Sequence, residues 1–363
     1  MRVGISLLTL SPGDLGGSET YARQLVRALA AVGELDYTAF VTARARDAAG
    51  GLPAVFVREL PVARRGPPRI PALSIAARAS RELRTALGRV DVVHYPLTVP
   101  IPRARIPKVI TLQDVQHLDL PELFSASRRA FRRRAYDRAA QTADAVIVTS
   151  AFVRRRALEM LGLDAERVHV IPLGIDHALF HPTEEPREPF LLYPARPWPH
   201  KNHARLLQAF SLLRAELPEL RLVLTGGGLE QLEPLPAGVE RLGIVPLEEL
   251  ASLYRRAACL VFPSLYEGFG LPPLEAMACG CPVAASNAGA IPEVCGPAAV
   301  LFDPTSVEAI ATGVREALAL ADELREEGIA RAAVFTWEET ARLHDAIYRD
   351  VATGGRAGTS TTP

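Results

Sequence analysis

Two glutamates, Glu267 and Glu275, bracket a turn in the segment SLYEGFGLPPLEAM. Proline is favoured in the first turn of a helix, where its missing N–H costs nothing, so Pro272 and Pro273 mark a helix start between the two acids. A carboxylate accepts hydrogen bonds from paired hydroxyls, and glycine backbone N–H groups can face hydroxyls or a phosphate. This spacing favours a sugar site over the alternative of one helix-dipole charge and one surface charge.

Two cations precede this segment in the stretch YPARPWPHKNHARLL. Arg196 ends a predicted strand and Lys201 stands just before a predicted helix, so both would lie at one edge of a sheet. Arginine binds phosphate through two parallel hydrogen bonds and lysine acts as a point charge, so the pair suits a diphosphate. Solvated surface charges are the alternative, but they do not call for this proline-rich setting. His200 and His203 lack carboxylate or cysteine partners, which disfavours metal ligation.

Two glycine clusters each follow a predicted strand. In GDLGGSETYAR, Gly16 and Gly17 precede a helix whose backbone N–H groups would attract a phosphate. The same glycines would also serve a turn without a ligand, and both interpretations stay open. The run TGGGLEQ, which begins at Thr225, lacks the last glycine of a dinucleotide fingerprint. That disfavours a nicotinamide site and favours a tight turn at Gly226 near a nucleotide.

The composition limits the classes of protein that these groups can serve. The 363 residues suffice for two α/β domains, and 41 basic residues balance 41 acidic ones, so no net field recruits nucleic acid. The first residues lack the apolar core of a secretory signal, and no apolar run is long enough to cross a bilayer. A soluble cytoplasmic protein is predicted. The 4 cysteines lack zinc spacing, which predicts buried thiols and no metal site.

Short apolar runs alternate with helical patterns along the chain. The predicted strands are 2–8, 37–42, 91–95, 108–112, 145–150, 168–176, 190–195, 221–226, 240–245, 259–264, 282–286 and 299–303. The predicted helices are 18–32, 72–87, 121–140, 152–161, 202–217 and 247–258, with a helical stretch over 306–351. The fold class is therefore α/β, with two Rossmann-like, doubly wound parallel-sheet domains that face a cleft, the expected ligand site.

A polar, proline-rich run, HPTEEPREP, predicts the domain boundary. The predicted organisation is a first domain over 1–176, a linker over 177–189 and a second domain over 190–335. A C-terminal helix over 336–351 and a disordered tail over 352–363 complete the chain.

The run EGFGLPPLE, from Glu267 to Glu275, resembles the E-x7-E motif of the retaining GT-B glycosyltransferases of family 4. Gly16 and Gly17 match the N-terminal diphosphate loop of that family, and Arg196 with Lys201 match its phosphate-binding pair. Residues 241–264 match the segment that borders the nucleotide base, and YPARPWPHKNH is similar to the bacterial mannosyltransferase branch. The resemblance thus extends over nearly the whole chain.

The resemblance implies a hexosyltransferase of polysaccharide biosynthesis that acts with retention of configuration. The co-substrate would be a nucleotide-diphosphate sugar, with GDP-mannose favoured and a UDP- or dTDP-sugar open. The acceptor would be a glycan, a lipid-linked sugar or a small molecule. Members of the family need no metal and no other cofactor for transfer, and this chain contains no D-x-D motif.

The resemblance also assigns roles to residues. Arg196 and Lys201 would hold the donor diphosphate with help from Gly17, Glu275 would bind the ribose, and Glu267 would bind the transferred sugar. The remaining implied donor contacts are Gly16, Gly226, Val245, Gly268, Phe269, Gly270 and Leu271. The helix around Trp337–Tyr348 would brace the first domain.

One position departs from the family pattern. Gln113 stands where the family often has a histidine close to the reacting sugar. Either His117 takes over that role, or Gln113 hydrogen-bonds the sugar without titrating. Ordinary loop hydrogen bonding is the alternative for His117 and for His94.

The basic run SRRAFRRRAYDR, residues 127–138, carries two aromatic residues among its arginines. It fits either a solvated basic face or weak peripheral association with anionic lipid at the inner face of the plasma membrane. Two other functions fit the same two-domain fold. One is a sugar-nucleotide epimerase or hydrolase, and the other is a catalytically silent sugar-nucleotide binder.

Overall fold

A computed structural model describes residues 1–13, 16–59 and 69–354. The chain separates into two compact units. Unit 1 comprises Met1–Gly174 and the described residues from Trp337 onward, and unit 2 comprises Ile175–Thr336. The predicted tail lies outside the described residues from position 355. No helix of the described segments is long and apolar enough to cross a membrane.

Unit 1 is built on a seven-stranded sheet with the order β3-β2-β1-β4-β5-β6-β7, in which neighbours are parallel. Its strands are β1 (Arg2–Ser6), β2 (Asp36–Thr42), β3 (Ala54–Val57), β4 (Val92–Tyr95), β5 (Lys108–Leu112), β6 (Ala145–Val148) and β7 (Val168–Val170). The helices before the unit boundary are α1 (Gly17–Val32), α2 (Arg69–Ala79), α3 (Arg81–Leu87), α4 (Gln116–Asp119), α5 (Ala126–Arg132), α6 (Arg138–Thr142) and α7 (Ala151–Leu161). The central strands are apolar and buried on both faces, as a parallel sheet between helices requires.

Unit 2 is built on a six-stranded parallel sheet with the order β10-β9-β8-β11-β12-β13. Its strands are β8 (Glu188–Pro194), β9 (Arg221–Thr225), β10 (Val239–Gly243), β11 (Ala257–Phe262), β12 (Val283–Ser286) and β13 (Val300–Phe302). Its helices are α8 (His203–Glu216), α9 (Leu247–Arg256), α10 (Leu271–Ala278), α11 (Ile291–Cys295), α12 (Val307–Ala319) and α13 (Ala321–Ala333). The predicted fold class of two doubly wound parallel sheets is confirmed.

The last helix, α14 (Trp337–Ala352), belongs to unit 1 and packs on α1. The predicted helical stretch over 306–351 comprises three helices, α12, α13 and α14, and the predicted C-terminal helix over 336–351 corresponds to α14. Asp345 of α14 accepts hydrogen bonds from the Tyr37 hydroxyl and from the Glu34 backbone N–H, the latter at 2.9 Å. These bonds attach α14 to the segment between α1 and β2.

Three further elements differ between the sequence prediction and the structure. The helix predicted over 72–87 breaks at Ser80, whose hydroxyl caps α3 by accepting from the Leu83 N–H. The helix predicted over 121–140 contains a π turn at Arg133–Asp137 between α5 and α6. Strand β3 was not predicted, because it lies at the sheet edge and three of its four residues remain exposed or partly exposed.

The predicted linker over 177–189 packs onto unit 2. Phe180 is buried, with its ring 6.0 Å from that of Tyr254, and Arg187 donates to the backbone carbonyls of Ala257 and Gly280. Strand β8 begins inside this segment, at Glu188. The polar composition that suggested a linker instead supplies side chains that bond to backbone carbonyls.

Strand order reverses direction between β8 and β11 in unit 2. In doubly wound sheets, ligands bind beyond the carboxyl ends of the strands at such a switch point. The loops that follow these two strands carry Arg196 and Lys201 after β8, and Glu267 after β11. The corresponding reversal in unit 1 lies between β1 and β4, and Gln113 follows the adjacent strand β5.

Candidate active site

The loop after β8 is wound tightly by its own backbone. The Trp198 N–H donates to the Arg196 carbonyl, and the Lys201 N–H donates to the Trp198 carbonyl, each at 2.8 Å. Pro199–Lys201 form a 3₁₀ turn, and Asn202 follows with φ 62°, in the left-handed region that asparagine tolerates better than most residues. Helix α8 then begins at His203, one residue later than predicted. These hydrogen bonds fix the backbone that carries Arg196 and Lys201, the two residues predicted to bind phosphate.

Hydrogen bonds join the loop after β8 to the loop after β11. The Leu265 N–H donates to the His200 carbonyl at 2.7 Å, and the Asn202 side-chain amide donates to the Pro263 carbonyl at 3.0 Å. The buried Tyr193 hydroxyl donates to the Lys201 carbonyl at 2.6 Å. The two loops therefore hold each other in place before any ligand arrives.

Lys201 and Glu267 meet at this junction. The Lys201 Nζ lies 2.6 Å from the Glu267 Oε1, and each side chain is only 14% exposed. A charge-assisted hydrogen bond of this length, sheltered from water, is stronger than a surface ion pair. The lysine and one glutamate predicted from the sequence thus share one contact.

A neighbouring loop supports the backbone of Glu267. The Ala290 N–H donates to the Glu267 carbonyl at 3.0 Å. Gly289 has φ +66°, and a Cβ there would stand 2.7 Å from backbone atoms of Glu267, so only glycine fits. The sequence analysis missed Gly289 and Asn202. The run NAGAIPE and the asparagine directly after Lys201 were the signals that could have found them.

Arg196 is half-buried, and its Cζ lies 5.8 Å from the centre of the Trp198 ring, within cation–π range. Gly226, with φ +133°, lies against the same loop, since a Cβ there would stand 2.9 Å from the Ala195 carbonyl oxygen. Its N–H donates to the Gly243 carbonyl at 2.7 Å, and the half-buried Val245 follows shortly after β10. The structure thus brings the predicted tight turn at Gly226 to the strand end that carries Arg196.

Glu275 is the fifth residue of α10, which begins at Leu271, one residue before the helix start predicted at Pro272 and Pro273. Its Oε2 accepts a hydrogen bond from the Tyr254 hydroxyl at 3.0 Å. Burial raises the pKa of Glu275 to about 7, while the Tyr254 hydrogen bond acts in the opposite direction. Tyr254, on α9, is fully buried and was not singled out from the sequence. Its partner could not be read from spacing, because a strand separates the two helices.

The turn between the two glutamates presents backbone more than side chains. Phe269 is buried, and its ring lies 5.9 Å from that of Phe335, so its side chain belongs to the core of unit 2. Gly270 has φ +120°, and a Cβ there would stand 2.6 Å from the Ile291 side chain. Gly268 is partly exposed. Contacts from this turn to a ligand would therefore come from its main chain.

In unit 1, Gly16 caps the start of α1 with φ 55°, and Gly17 is the first residue of that helix. A Cβ on Gly17 would meet no atom of the described residues within 4 Å. The Ser18 hydroxyl donates to the Gln113 Oε1, which ties this end of α1 to the residue after β5. Gln113 Nε2 is buried and has no hydrogen-bond partner in the described part of the chain.

His117 is fully buried in α4. Its Nε2 lies 2.9 Å from the Asp137 Oδ1, a contact that the π turn at Arg133–Asp137 makes by carrying Asp137 inward. Its Nδ1 finds no partner among the described residues. Asp114 pairs with Arg132 of the basic run at 2.8 Å. His117 is therefore held from one side and has no exposed surface.

His94 is fully buried in β4. Its Nε2 contacts the Thr111 hydroxyl at 2.9 Å, and its Nδ1 contacts the Tyr348 hydroxyl of α14 at 2.7 Å. The alternative of ordinary hydrogen bonding is thus observed for His94. The hydrogen bonds of His94 join β4 to α14 and do not order a loop.

The four cysteines are buried and unbridged, as predicted. Burial raises the pKa of Cys279 to about 12 and that of Cys281 to about 11, so both thiols stay protonated at neutral pH. In residues 1–13, 16–59 and 69–354, no group of three or more metal-ligating side chains is placed to hold an ion.

Known families cover the two halves of this chain in succession. The model of Glycosyltransferase Family 4 matches residues 15–179, and that of Glycosyl transferases group 1 matches residues 177–334. A curated relative, the MMP alpha-(1->4)-mannosyltransferase of Mycolicibacterium hassiacum, is 33% identical over 76% of this chain and 74% of its own. The chain belongs to glycosyltransferase family 4. The resemblance found in the motifs is thereby confirmed, and the protein is a transferase enzyme.

Other family 4 relatives include the O-antigen chain mannosyltransferase B of Escherichia coli, 31% identical over 68% of this chain and 71% of its own. A D-inositol 3-phosphate glycosyltransferase of Thermobispora bispora is 29% identical over 93% of this chain and 90% of its own.

Solved structures show the same GT-B fold. Sucrose-phosphate synthase from Thermosynechococcus elongatus has a TM-score of 0.77 at 22% identity, covering 98% of this chain and 100% of that one. WaaG, a glycosyltransferase involved in lipopolysaccharide biosynthesis, has a TM-score of 0.69 at 16% identity, covering 97% of this chain and 100% of that one.

Proposed function

We propose that this glycosyltransferase transfers mannose from GDP-mannose, with retention of configuration and without a metal ion. One observation carries the proposal: the Lys201–Glu267 contact at the junction of two loops that are hydrogen-bonded to each other. The contact supports the proposal because it brings together, at the switch point of unit 2, a lysine that would bind phosphate and a carboxylate that would bind the sugar. The mannosyltransferase relatives support the choice of sugar.

Arg196 and Lys201 would bind the donor diphosphate. During transfer, the bond from the sugar C1 to the diphosphate oxygen breaks, and its electron pair stays on the diphosphate. A bond from an acceptor hydroxyl oxygen to C1 forms, and the hydroxyl proton is released. The cations stabilise the negative charge that develops on the leaving group, and a preorganised group of this kind contributes most when it needs no rearrangement.

Glu267 would position the transferred sugar together with backbone groups of Gly268, Phe269, Gly270 and Leu271. Its carboxylate already bonds to Lys201, so a donor entering the site would place its diphosphate and sugar beside an existing ion pair. We assign Glu267 to positioning and electrostatic stabilisation and not to nucleophilic attack.

Glu275 would accept hydrogen bonds from the two ribose hydroxyls. The turn at Gly226 and the segment at Val245 would border the base. The packing of Gly226 on Ala195 supports this placement, because it brings the end of β9 to the loop that carries Arg196.

Unit 1 would bind the acceptor. Gln113 replaces the family histidine in this proposal: it is held by Ser18 through its oxygen, and its amide nitrogen remains available as a donor to a sugar hydroxyl. His117 would act through its contact with Asp137 and only after a local movement, because the ring is fully buried. The names of the relatives suggest two acceptor classes, an O-antigen chain and D-inositol 3-phosphate.

Association with a membrane surface would involve the basic run in α5 and the π turn that follows it. Arg128, Arg133, Arg134 and Arg138 are exposed, whereas Arg132 pairs with Asp114. Each exposed cation near an anionic surface contributes about 1 kcal/mol at low salt. We therefore expect cosedimentation with phosphatidylserine vesicles at low salt and its loss at high salt. No binding at either salt removes this part of the proposal.

A panel of sugar nucleotides tests the donor. A ligand that binds only the folded state raises the melting temperature, so GDP-mannose should stabilise the protein more than UDP-glucose or dTDP-glucose does. Transfer is then measured with mannosylated and inositol phosphate acceptors, in the presence and absence of EDTA. Equal transfer with EDTA supports metal independence, and retention is read from the anomeric NMR coupling of the product. Donor breakdown that ignores the acceptor contradicts the proposal and favours a hydrolase or epimerase.

A further inference from the structure

The Tyr254–Glu275 pair connects two helices of unit 2. Tyr254 lies on α9 with no exposed surface, and its hydroxyl lies 3.0 Å from one oxygen of Glu275, Oε2. The other oxygen, Oε1, makes no hydrogen bond within the described residues, and Glu275 keeps part of its surface exposed. One carboxylate oxygen is thus hydrogen-bonded within the protein, and the other can accept a hydrogen bond from a ligand.

A carboxylate on a flexible side chain can rotate, and two hydroxyls of a diol require it in one orientation. A hydrogen bond from a fixed donor to one oxygen removes that freedom before the ligand arrives, which reduces the entropic cost of binding. Tyr254 is such a donor, because its ring is packed in the core and lies 6.0 Å from the ring of Phe180.

We propose that Tyr254 is a positioning residue for recognition of the donor nucleotide: its hydroxyl orients Glu275 so that the free oxygen accepts from the ribose diol. This inference rests on the proposed function, in which Glu275 binds the ribose. It also makes donor binding depend on pH, because a carboxyl that has taken up a proton is a poorer acceptor for two hydroxyls.

The surroundings of Glu275 support that dependence. Burial is the largest cause of the raised pKa of Glu275, and the Tyr254 hydroxyl of α9 is the side chain that opposes it. Arg325 and Arg331 of α13, the helix packed along α10, donate instead to backbone carbonyls. In the described part of the chain no cation forms an ion pair with Glu275. The tyrosine hydroxyl is therefore the main group that favours the ionised carboxyl.

The direction of the pH effect follows from the shift. Burial raises the pKa of Glu275 to about 7 in the free protein. Binding that needs the carboxylate weakens as the pH falls below that value, by about tenfold for each unit. Because the Tyr254 hydrogen bond lowers this pKa, its removal moves the onset of weakening to higher pH.

Calorimetric titration of Tyr254→Phe tests the proposal. The probes are GDP-mannose and UDP-glucose, whose esterified diphosphates keep a constant charge near neutrality, and their 2′,3′-dideoxy analogues. A hydrogen bond to a charged group contributes enough for about a tenfold loss of affinity of the variant for the natural ligand. The dideoxy analogue should bind wild-type protein and variant equally, because it has no diol to recognise.

A second variant separates positioning from general damage. Tyr37→Phe removes the same kind of bond, from a buried tyrosine to the Asp345 carboxylate, in unit 1. It should lower the melting temperature as Tyr254→Phe does and leave donor affinity and its pH profile unchanged. Glu275→Gln should bind weakly, with no change in affinity around neutral pH.

The outcomes are distinct. If wild-type protein binds a probe and Tyr254→Phe binds it equally, with the same pH profile, the inference is overturned and the proposed function stands. If the variant loses equal affinity for the dideoxy analogue, Tyr254 acts on folding and not on the diol, which also overturns it. If wild-type protein binds neither nucleotide sugar, both the proposed function and this inference fail.

Discussion

The polar groups buried beneath α14 in unit 1 differ from those at the switch point of unit 2 in charge and in how completely they are hydrogen-bonded. In unit 1, the His344 Nδ1 faces the Thr340 carbonyl at 2.7 Å and must donate to it. Its Nε2 therefore accepts, and the Tyr21 hydroxyl donates to it at 3.0 Å. The Tyr21 oxygen then accepts from the Thr111 hydroxyl at 2.7 Å. Every proton position in this part of the network is determined.

The same reasoning continues to the other end. The Thr111 hydroxyl donates its hydrogen bond to Tyr21, so the Thr111 oxygen accepts from the His94 Nε2–H at 2.9 Å. The His94 Nδ1 then accepts from the Tyr348 hydroxyl at 2.7 Å. Both imidazoles are neutral in this chain of bonds. Burial lowers the pKa of His344 to about 4 and that of His94 well below its usual value.

The switch point of unit 2 retains charge and unused hydrogen-bonding capacity instead. Lys201 and Glu267 form an ion pair, and Glu275 uses one of its two oxygens. A network with every group satisfied holds helices together, whereas a site that must receive a ligand keeps groups for it. The comparison teaches that burial alone does not mark the functional residues; incomplete satisfaction among positioned groups does.

The largest effect is expected at the cations of unit 2. Lys201→Ala or Arg196→Ala should lower transfer by on the order of 10²–10³, because one preorganised donor to the leaving group is lost. Steady-state rates with GDP-mannose measure this. Arg315→Ala, which removes an exposed pair with Glu216 in the same unit, is the control and should keep full activity. Near-normal transfer by both site variants would refute their assignment.

Acid should act first on the network of unit 1. The folded pKa of His344 is about 4, below the unfolded value near 6.5, so the unfolded state binds more protons between these two. Stability is therefore complete above about pH 6.5 and falls as the pH drops, by about 3 kcal/mol at pH 4 for this histidine alone. Urea unfolding from neutral to acid pH measures the loss. Unchanged stability down to pH 5 would mean that the imidazoles are not held neutral.

Thr111→Val interrupts the network at its centre. The substitution keeps the shape of the side chain and leaves the Tyr21 oxygen and the His94 Nε2–H without a partner. We expect a loss of about 2 kcal/mol in the free energy of unfolding, from orphaned buried polar groups. The affinity for the donor should stay unchanged. A fall in donor affinity without a fall in stability would contradict the separation between the two regions.

Glu267 should tolerate glutamine better than alanine. The amide oxygen of Glu267→Gln can still accept from Lys201 and from a sugar hydroxyl, whereas Glu267→Ala leaves the lysine without its partner. We expect turnover of the glutamine variant to exceed that of the alanine variant by about tenfold. Equal activities would indicate that the charge, and not the position of the group, is what matters.

The smallest effect is a gain in stability at Glu275. Its folded pKa of about 7 exceeds the unfolded value near 4.5, so the stability present below pH 4.5 is lost as the pH rises to 7. The shift alone corresponds to about 3 kcal/mol at pH 8. Because the neutral amide of Glu275→Gln is still a buried polar group, part of that penalty remains, and we expect a net rise of about 1 kcal/mol in the free energy of unfolding at pH 8. Thermal unfolding at pH 8 measures it, with the same comparison at pH 4 as the control. A variant that is less stable than the wild-type protein at pH 8 would show that burial of the ionised carboxylate does not destabilise the fold.

Much of the fold could be predicted, for identifiable reasons. The buried strands β1, β8 and β11 are continuous apolar runs, and runs of this kind signal parallel sheets directly. Edge strand β3 gave no such run. The π turn at Arg133–Asp137 was not predicted either, and the contact of Asp137 with His117, 20 residues away in the sequence, could not be read from a local pattern.

The residues of the candidate site could be predicted from the sequence, but the contacts between them could not. Arg196, Lys201, Glu267 and Glu275 stand at strand ends and helix starts, where local patterns place them. Tyr254, Asn202 and Gly289 complete the site from other elements. Their roles depend on loops meeting across the sheet, and no local pattern records which loops meet.

The amino-acid sequence by itself determined which side chains could bind a phosphate and a sugar, and in which strand-to-helix loops they stand. Periodicity and turn chemistry are local properties, so the residues alone carry them. Only the tertiary structure decided that Lys201 meets Glu267, that Glu275 has a raised pKa and that His94 stays neutral beneath α14. Ionisation and hydrogen bonding depend on distance and on exclusion of water, and those arise only when remote segments pack together.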